Sequence, residues 1–455
     1  MPELLLHRPT RVPASVGPAR AADEPATSAR RRSAGRRETL CFRAALAVIV
    51  VAVVDDAFVH PEPGTSAGDH LASGLVPAAI AVVAALAYPR LRPGLRGVAG
   101  LVCGVLALTA GVVDGFRHVA VDRLAGDDLT AMLAGVAGIA LVALGTLTLW
   151  RTRRLDERLP RRYGRRALVG IAAVVAGFLI VFPTAFAINA THRARTAVDA
   201  ADLGRPYERV SFTTADGLRL VGWYVPSRHR AAVIAVPGRT GPAAHARMLA
   251  RHGYGVLLFD RRGEGESEGD FNAFGWGGDA DIKAAVTFLA QRPDVDAARI
   301  GGLGLSVGGE MMLETAAEDE RLRAVVSEGA GVRSLAEHWD DPGPAAAQKP
   351  FSDWVVQTLA MTVLTNQAPP PGLTGLVNDI APRPLLLIRG LAGQEQEALN
   401  RLYHDAAREP KALWEVPGAG HTAALSAQPQ EYERRVVGFF DRALLKPSAP
   451  GEPAG

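Results

Sequence analysis

Thiols are almost absent from this sequence: Cys41 and Cys103 are its two cysteines, and both lie in or beside apolar stretches. The second half of the chain therefore folds without disulfides and without a cysteine-ligated metal. Lysine is nearly absent too; its four copies all fall after residue 280, and arginine supplies the other positive charges. The net charge is only +3, and the arginine clusters flank apolar segments, which argues against a nucleic-acid surface. Neither H-E-x-x-H nor G-x-x-x-x-G-K-[ST] occurs, so no metal and no nucleotide cofactor is expected.

What is abundant is apolar sequence, 48% of residues, with the excess before residue 190. Residues 1–39 are rich in Pro, Ser, Ala and Arg without periodicity and read as a disordered basic tail. Five apolar stretches follow at about 40–59, 71–88, 95–113, 129–150 and 167–188. A membrane span needs about 20 mostly apolar residues. The last three stretches fit, the second is slightly short, and the first is interrupted by Arg43, Asp55 and Asp56. Arginine alternates along the loops: rich in the tail, absent from 60–70, rich at 90–96, sparse at 114–128 and dense at 151–166. By the positive-inside rule this predicts a multi-pass membrane protein. Its N-terminus is cytoplasmic, five spans follow, and everything after residue 188 is extracytoplasmic.

After a linker at 189–205 the periodicity changes. Residues 207–213 and 218–225 alternate apolar and polar around Asp216-Gly217, a β-hairpin signature. Short apolar runs then alternate with helical patterns. Strands are expected at 231–236, 255–259, 299–303, 322–327, 384–388 and 412–416. Helices are expected at 245–252, 279–291, 308–318, 394–407 and 428–444. That order implies an α/β fold with a mostly parallel sheet covered on both faces. Residues 331–381 break the rhythm, are too long for a plain connection, and read as a lid carrying Trp339, Phe351 and Trp354. A short tail, 446–455, closes the chain.

The strand at 299–303 runs into Gly304-Leu305-Ser306-Val307-Gly308 and then a helix, the setting G-x-S-x-G requires. Small flanking residues permit a sharp turn that lifts the serine hydroxyl above the sheet edge, where the helix N-terminus favours developing negative charge. Ser306 is the candidate nucleophile. A serine needs a base, and His421, between the last strand and the last helix, is the candidate. A further run, Phe259-Asp260-Arg261-Arg262-Gly263-Glu264-Gly265-Glu266-Ser267, has the form D-x-R-G-x-G-x-S.

With these three motifs in order, residues 205–445 resemble the α/β-hydrolase superfamily, in particular its serine-aminopeptidase-like and dienelactone-hydrolase-like branches. The five-span region is no part of that pattern. The resemblance implies a Ser-His-acid triad and an oxyanion hole made by the backbone amides of Arg239 and Val307. It implies a role for the 259–267 turn that is mainly structural. Two departures stand out. Relatives carry His-Gly after the strand that here ends at Val236, whereas this chain has Pro237-Gly238-Arg239. Relatives also place an Asp shortly after the strand at 384–388, where this chain has Gly390-Leu391-Ala392-Gly393 followed by Glu395 and Glu397. Glu395 lies nearest the usual position; Glu397 and Glu328 are the alternatives.

The reading that follows is a membrane-integral serine hydrolase acting on a small-molecule or lipid-like acyl substrate, a carboxylester first, a thioester or amide next. Its rivals are an acyltransferase on the same chemistry and a non-catalytic receptor that kept the fold.

Overall fold

The computed structural model describes residues 24–116, 128–151, 159–192, 202–238, 242–340, 351–392 and 397–445. The expected tail at 446–455 and the possible acid Glu395 lie outside them, as does Arg239.

The N-terminal region is helical. Helix α1 spans Glu24–Val54 and continues through Asp55–Val59; α2 is Leu71–Ala87, α3 Pro93–Ala110 and α4 Asp128–Arg151. Helix α5, Leu159–Ala176, passes through a wider turn at Gly177–Val181 into α6, Phe182–Thr191. Residues 24–39, expected to be disordered, belong to α1. They contain no proline after Pro25 and are rich in Arg and Ala, good helix formers that extend the apolar segment behind them.

Among the described residues, four helical stretches are long and apolar enough to cross a membrane: Leu71–Arg90, Pro93–Val113, Leu129–Arg151 and Tyr163–Thr191. The first expected span is not among them. Only eleven residues separate Arg43 from Asp55, about 17 Å at 1.5 Å per residue against about 30 Å of hydrocarbon. Both charges are held by neighbouring helices. Arg43 Nε donates to the carbonyl of Ala85 in the last turn of α2 (3.0 Å). Asp55 accepts from Thr130 Oγ1 at the start of α4 (2.6 Å) and pairs with His60 (3.1 Å).

Helices α3 and α4 approach through glycine. A Cβ on Gly104 would lie 2.8 Å from the carbonyl oxygen of Gly138, and one on Gly111 would lie 2.5 Å from Gly135 Cα. Apolar side chains elsewhere face outward, Ile80 at 64% exposure and Val136 at 58%. Small residues inside and large apolar ones outside invert the soluble pattern and suit helices solvated by lipid.

The C-terminal half is one eight-stranded sheet. Its strands are β1 Glu208–Thr213, β2 Arg219–Val225, β3 Ala232–Val236, β4 Gly255–Phe259, β5 Ile300–Leu305, β6 Leu322–Glu328, β7 Leu385–Gly390 and β8 Lys411–Val416. Spatial order is β1-β2-β4-β3-β5-β6-β7-β8. The hairpin β1–β2 is antiparallel, and β2 also pairs antiparallel with β4; the remaining pairs are parallel. Helices α7 Ala243–Arg251, α8 Gly278–Ala290 and α9 Val307–Glu318 connect the early strands. Helices α10 Leu335–Asp340 and α11 Phe351–Thr365 form the insertion after β6, and α12 Leu399–Ala406 and α13 Pro429–Phe440 complete the layers. The inner strands β3 and β4 are buried along their whole length, as burial on both faces of a parallel sheet requires. One apolar core lies on the side of α8, α9 and α12, and the other on the side of α7 and α13.

The two halves touch. The amide of Gly269 donates to the carbonyl of Pro63 in the 60–70 loop (2.8 Å), and His70 lies 3.7 Å from Asp270. The amide of Ala273 donates to the carbonyl of Ala190 near the end of α6 (2.9 Å). Ala187 of α6, Trp276 and Met361 of α11 share a buried apolar cluster, joined by Phe274, Ala360 and Leu364.

Candidate active site

Strand β5 delivers Ser306 to the sheet's C-terminal edge with φ +52° and ψ −122°. For a residue with a Cβ that backbone is strained, and the surroundings enforce it. The Ser306 amide donates to the carbonyl of Glu328 (2.8 Å), and the Ser306 carbonyl accepts from Gly309 (2.8 Å). A Cβ on Gly304 would lie 2.1 Å from the carbonyl oxygen of Gly308. One on Gly308 would lie 2.6 Å from the carbonyl oxygens of both Val236 and Pro237. The glycines of the motif are thus required by close backbone approach. Val307 opens α9, where the first amides have no acceptor within the helix.

His421 arrives from the loop after β8. Its Nε2 accepts from Ser306 Oγ at 2.8 Å, and its Nδ1 donates to Glu397 Oε1 at 2.7 Å. The carboxylate fixes that tautomer, since an ionised carboxylate only accepts. Glu397 is wholly buried. Its other oxygen accepts from the amide of Gly390 at the end of β7 (2.5 Å), and Oε1 also accepts from the amide of Thr422 (3.3 Å). Gly329, with φ +73°, passes beneath: a Cβ there would lie 2.8 Å from Glu397 Oε1 and 3.2 Å from His421 Cε1.

Of the carboxylates weighed from sequence, then, Glu397 meets His421. Glu328 does not. Its Oε1 accepts from the amide of Ala424 (2.9 Å) and its Oε2 from Tyr432 Oη (2.7 Å), so it secures the helices beyond the histidine. The 259–267 turn is structural, as expected. Ser267 Oγ donates to the carbonyl of Asp260 (2.6 Å) and accepts from the amide of Val221 (2.9 Å), tying the turn to β2. Burial pushes the Asp260 carboxyl up to about 7.

Sequence reasoning missed Glu310, one turn beyond Ser306 on α9. Burial pushes its carboxyl up to about 7, against the opposing pull of nearby Arg333, and its Oε1 accepts from the amide of Gly331 (3.0 Å). Arg333 in turn donates to Glu314 Oε2 (2.6 Å). The buried charges Glu310 and Glu314 of α9 and Arg333 of the segment after β6 can be related in the sequence only once α9 and that segment are known to pack together. Among the described residues no cluster of three or more His, Cys, Asp or Glu side chains is placed to hold a metal ion.

Residues 187–423, just over half of the chain, match the family described as X-Pro dipeptidyl-peptidase (S15 family). The chain belongs to the S15 family. A Mycobacterium tuberculosis protein, MT2364, is 31% identical over 323 residues, covering 69% of this chain and 95% of its own. YfhR of Escherichia coli is 28% identical over 257 residues, covering 52% of this chain and 81% of its own. Among solved structures, an esterase of Pyrococcus furiosus is 24% identical and covers 55% of this chain and 97% of its own at a TM-score of 0.44. The matched region of this S15-family chain, whose sheet order and nucleophile turn are those of an α/β hydrolase, begins inside α6 and reaches just past His421.

Proposed function

We propose that this S15-family chain is a membrane-anchored serine hydrolase. Residues 40–188 anchor it, residues 206–445 carry the chemistry, and the preferred bond is a carboxylic ester. One observation carries the reading: Ser306, His421 and Glu397 form a continuous hydrogen-bonded chain of 2.8 and 2.7 Å. In the mechanism, Ser306 Oγ attacks the acyl carbon while its proton passes to His421 Nε2. Glu397 keeps the ring oriented and stabilises the imidazolium. The Val307 amide, with that of Arg239, holds the oxyanion. His421 returns the proton to the leaving alcohol, and an acyl ester remains on Ser306. Water then attacks that ester, gives one proton to His421, and releases the acid as the proton returns to Ser306 Oγ. The net change is ester plus water to acid plus alcohol.

The contact between the 60–70 loop and Gly269 supports a hydrolase on the same side of the membrane as that arginine-free loop, which is the extracytoplasmic side. The test is fluorophosphonate labelling of the purified full chain, followed by a panel of p-nitrophenyl esters and an X-Pro anilide. Labelling absent from Ser306→Ala and His421→Ala, with ester turnover exceeding anilide turnover, is the expected result. Labelling that survives Ser306→Ala refutes the assignment. Preference for the anilide makes the enzyme a peptidase with the same machinery.

A further inference from the structure

Helix α11 and the last apolar helix share one apolar cluster, and its loop packs against the helix that follows the nucleophile. Phe178, Phe182 and Phe186 recur every four residues along the last span. Their rings follow one another at 6.1 and 6.4 Å between centroids, and Phe186 reaches Phe274 of the next domain at 6.1 Å. Phe178, Phe182 and Phe186 are 47%, 57% and 37% exposed, so one side of the ring series stays open. Phe274 does not end the path. The next residue, Gly275, runs so close to the nucleophile turn that a Cβ on it would lie 2.8 Å from Val307 Cγ2 and 2.7 Å from Met311 Sδ. Beside the same rings lies α11 of the lid, whose Met361 packs on Ala187 and Trp276.

An anchor alone needs no continuous ring path ending beside the catalytic turn; scattered leucines serve as well. A saturated chain can lie along a row of partly exposed aromatic rings, and the bilayer around the span already solvates it at no cost in water contact. We infer that this face guides an acyl chain from the bilayer to Ser306. The substrate class is then a long-chain acyl ester of a membrane-resident amphiphile, its chain lying along Phe178, Phe182, Phe186 and Phe274 under α11. This inference rests on the serine-hydrolase reading above.

The experiment uses the full chain in phosphatidylcholine vesicles. The readout is the ratio of kcat/KM for p-nitrophenyl palmitate, dosed by mole fraction in the bilayer, to that for p-nitrophenyl butyrate. In the wild type palmitate is preferred. Phe182→Ser and Phe186→Ser each lower the ratio by about ten-fold, about 1.4 kcal/mol, and Val136→Ser, equally lipid-facing on α4, leaves it unchanged. A second measurement needs no variant: a hexadecyl fluorophosphonate in the vesicles labels Ser306 faster than an ethyl one. Butyrate turnover with no palmitate preference and equal labelling rates overturns the track, as does an unchanged ratio in both Phe variants. If neither ester turns over and neither probe labels, the hydrolase reading fails and the inference falls with it.

Discussion

Replacing Glu397 by glutamine separates the role of its charge from that of its shape. The carboxylate accepts from three donors: His421 Nδ1 and the Thr422 amide at Oε1, and the Gly390 amide at Oε2. A glutamine has one oxygen for two sites. If its oxygen faces His421, its NH2 meets the Gly390 N–H across 2.5 Å in a buried site, donor against donor, at about 1–3 kcal/mol for the unmet groups. If the amide flips, Gly390 is satisfied and the NH2 donates to His421 Nδ1. The ring must then carry its proton on Nε2, pointing at Ser306 Oγ, and it cannot accept the serine proton. The flipped form leaves unmet only the Thr422 amide, whose contact is the longest of the three at 3.3 Å, and is the one expected to be populated. Glu397→Gln should therefore unfold almost as the wild type does yet lose about 10⁴ in kcat, as the wrong tautomer costs elsewhere, which is about 5 kcal/mol of barrier. Ester hydrolysis and fluorophosphonate labelling rate measure it, with thermal unfolding as the control for fold. Activity within ten-fold of wild type, or the large loss appearing in Glu395→Gln instead, refutes the argument.

Three other perturbations follow from the same geometry. Glu310 has a folded value of about 7 against the ordinary 4.5, so the folded state holds its proton more tightly. Its stability cost is absent below pH 4.5, grows as pH rises to about 7 and is then constant; Glu310→Gln should remove roughly 3 kcal/mol of that pH dependence, read as the difference in unfolding between pH 5 and pH 8, and an unchanged slope counts against it. Gly308→Ala would press a methyl onto two backbone carbonyl oxygens at 2.6 Å; we expect about 1–3 kcal/mol of destabilisation and a larger loss of turnover, because Val236–Gly238 must shift, and full activity would contradict this. With Cys41 and Cys103 replaced by serine, a membrane-impermeant maleimide should label Ala67→Cys but not Arg92→Cys in intact cells; equal labelling would reverse or abolish the proposed orientation.

All eight strands can be read from the sequence, because inner-sheet burial and hairpin alternation leave strong patterns. The acid was harder to locate. The strand-to-acid distance in relatives points to Glu395, which lies outside the described residues, whereas the carboxylate that meets His421 is Glu397, seven residues after β7 ends at Gly390. Spacing counts residues and carries no information on which of two nearby carboxylates faces the histidine. Glu328, by contrast, is excluded by simple alternation. A Cβ on Gly309 would lie 2.5 Å from Ser327 Oγ, so Ser327 faces α9. Its neighbour Glu328 must take the opposite face, toward Tyr432 and His245. The first helix shows the limit of hydropathy: Arg43 and Asp55 shorten its apolar run, and their contacts with Ala85, Thr130 and His60 explain how both are accommodated.

The coupling between anchor and site is carried by one short stretch of chain. Leaving the turn that Ser267 ties to β2, the backbone bonds to the first loop at Gly269 and to the last span at Ala273. It packs on that span through Phe274 and reaches Val307 at Gly275. The loop is held by hydrogen bonds at Gly269 and Ala273, and glycine stands just beyond, where it crosses the nucleophile helix. The last apolar helix is thus packed, through this loop, against the turn whose amide is proposed to hold the oxyanion.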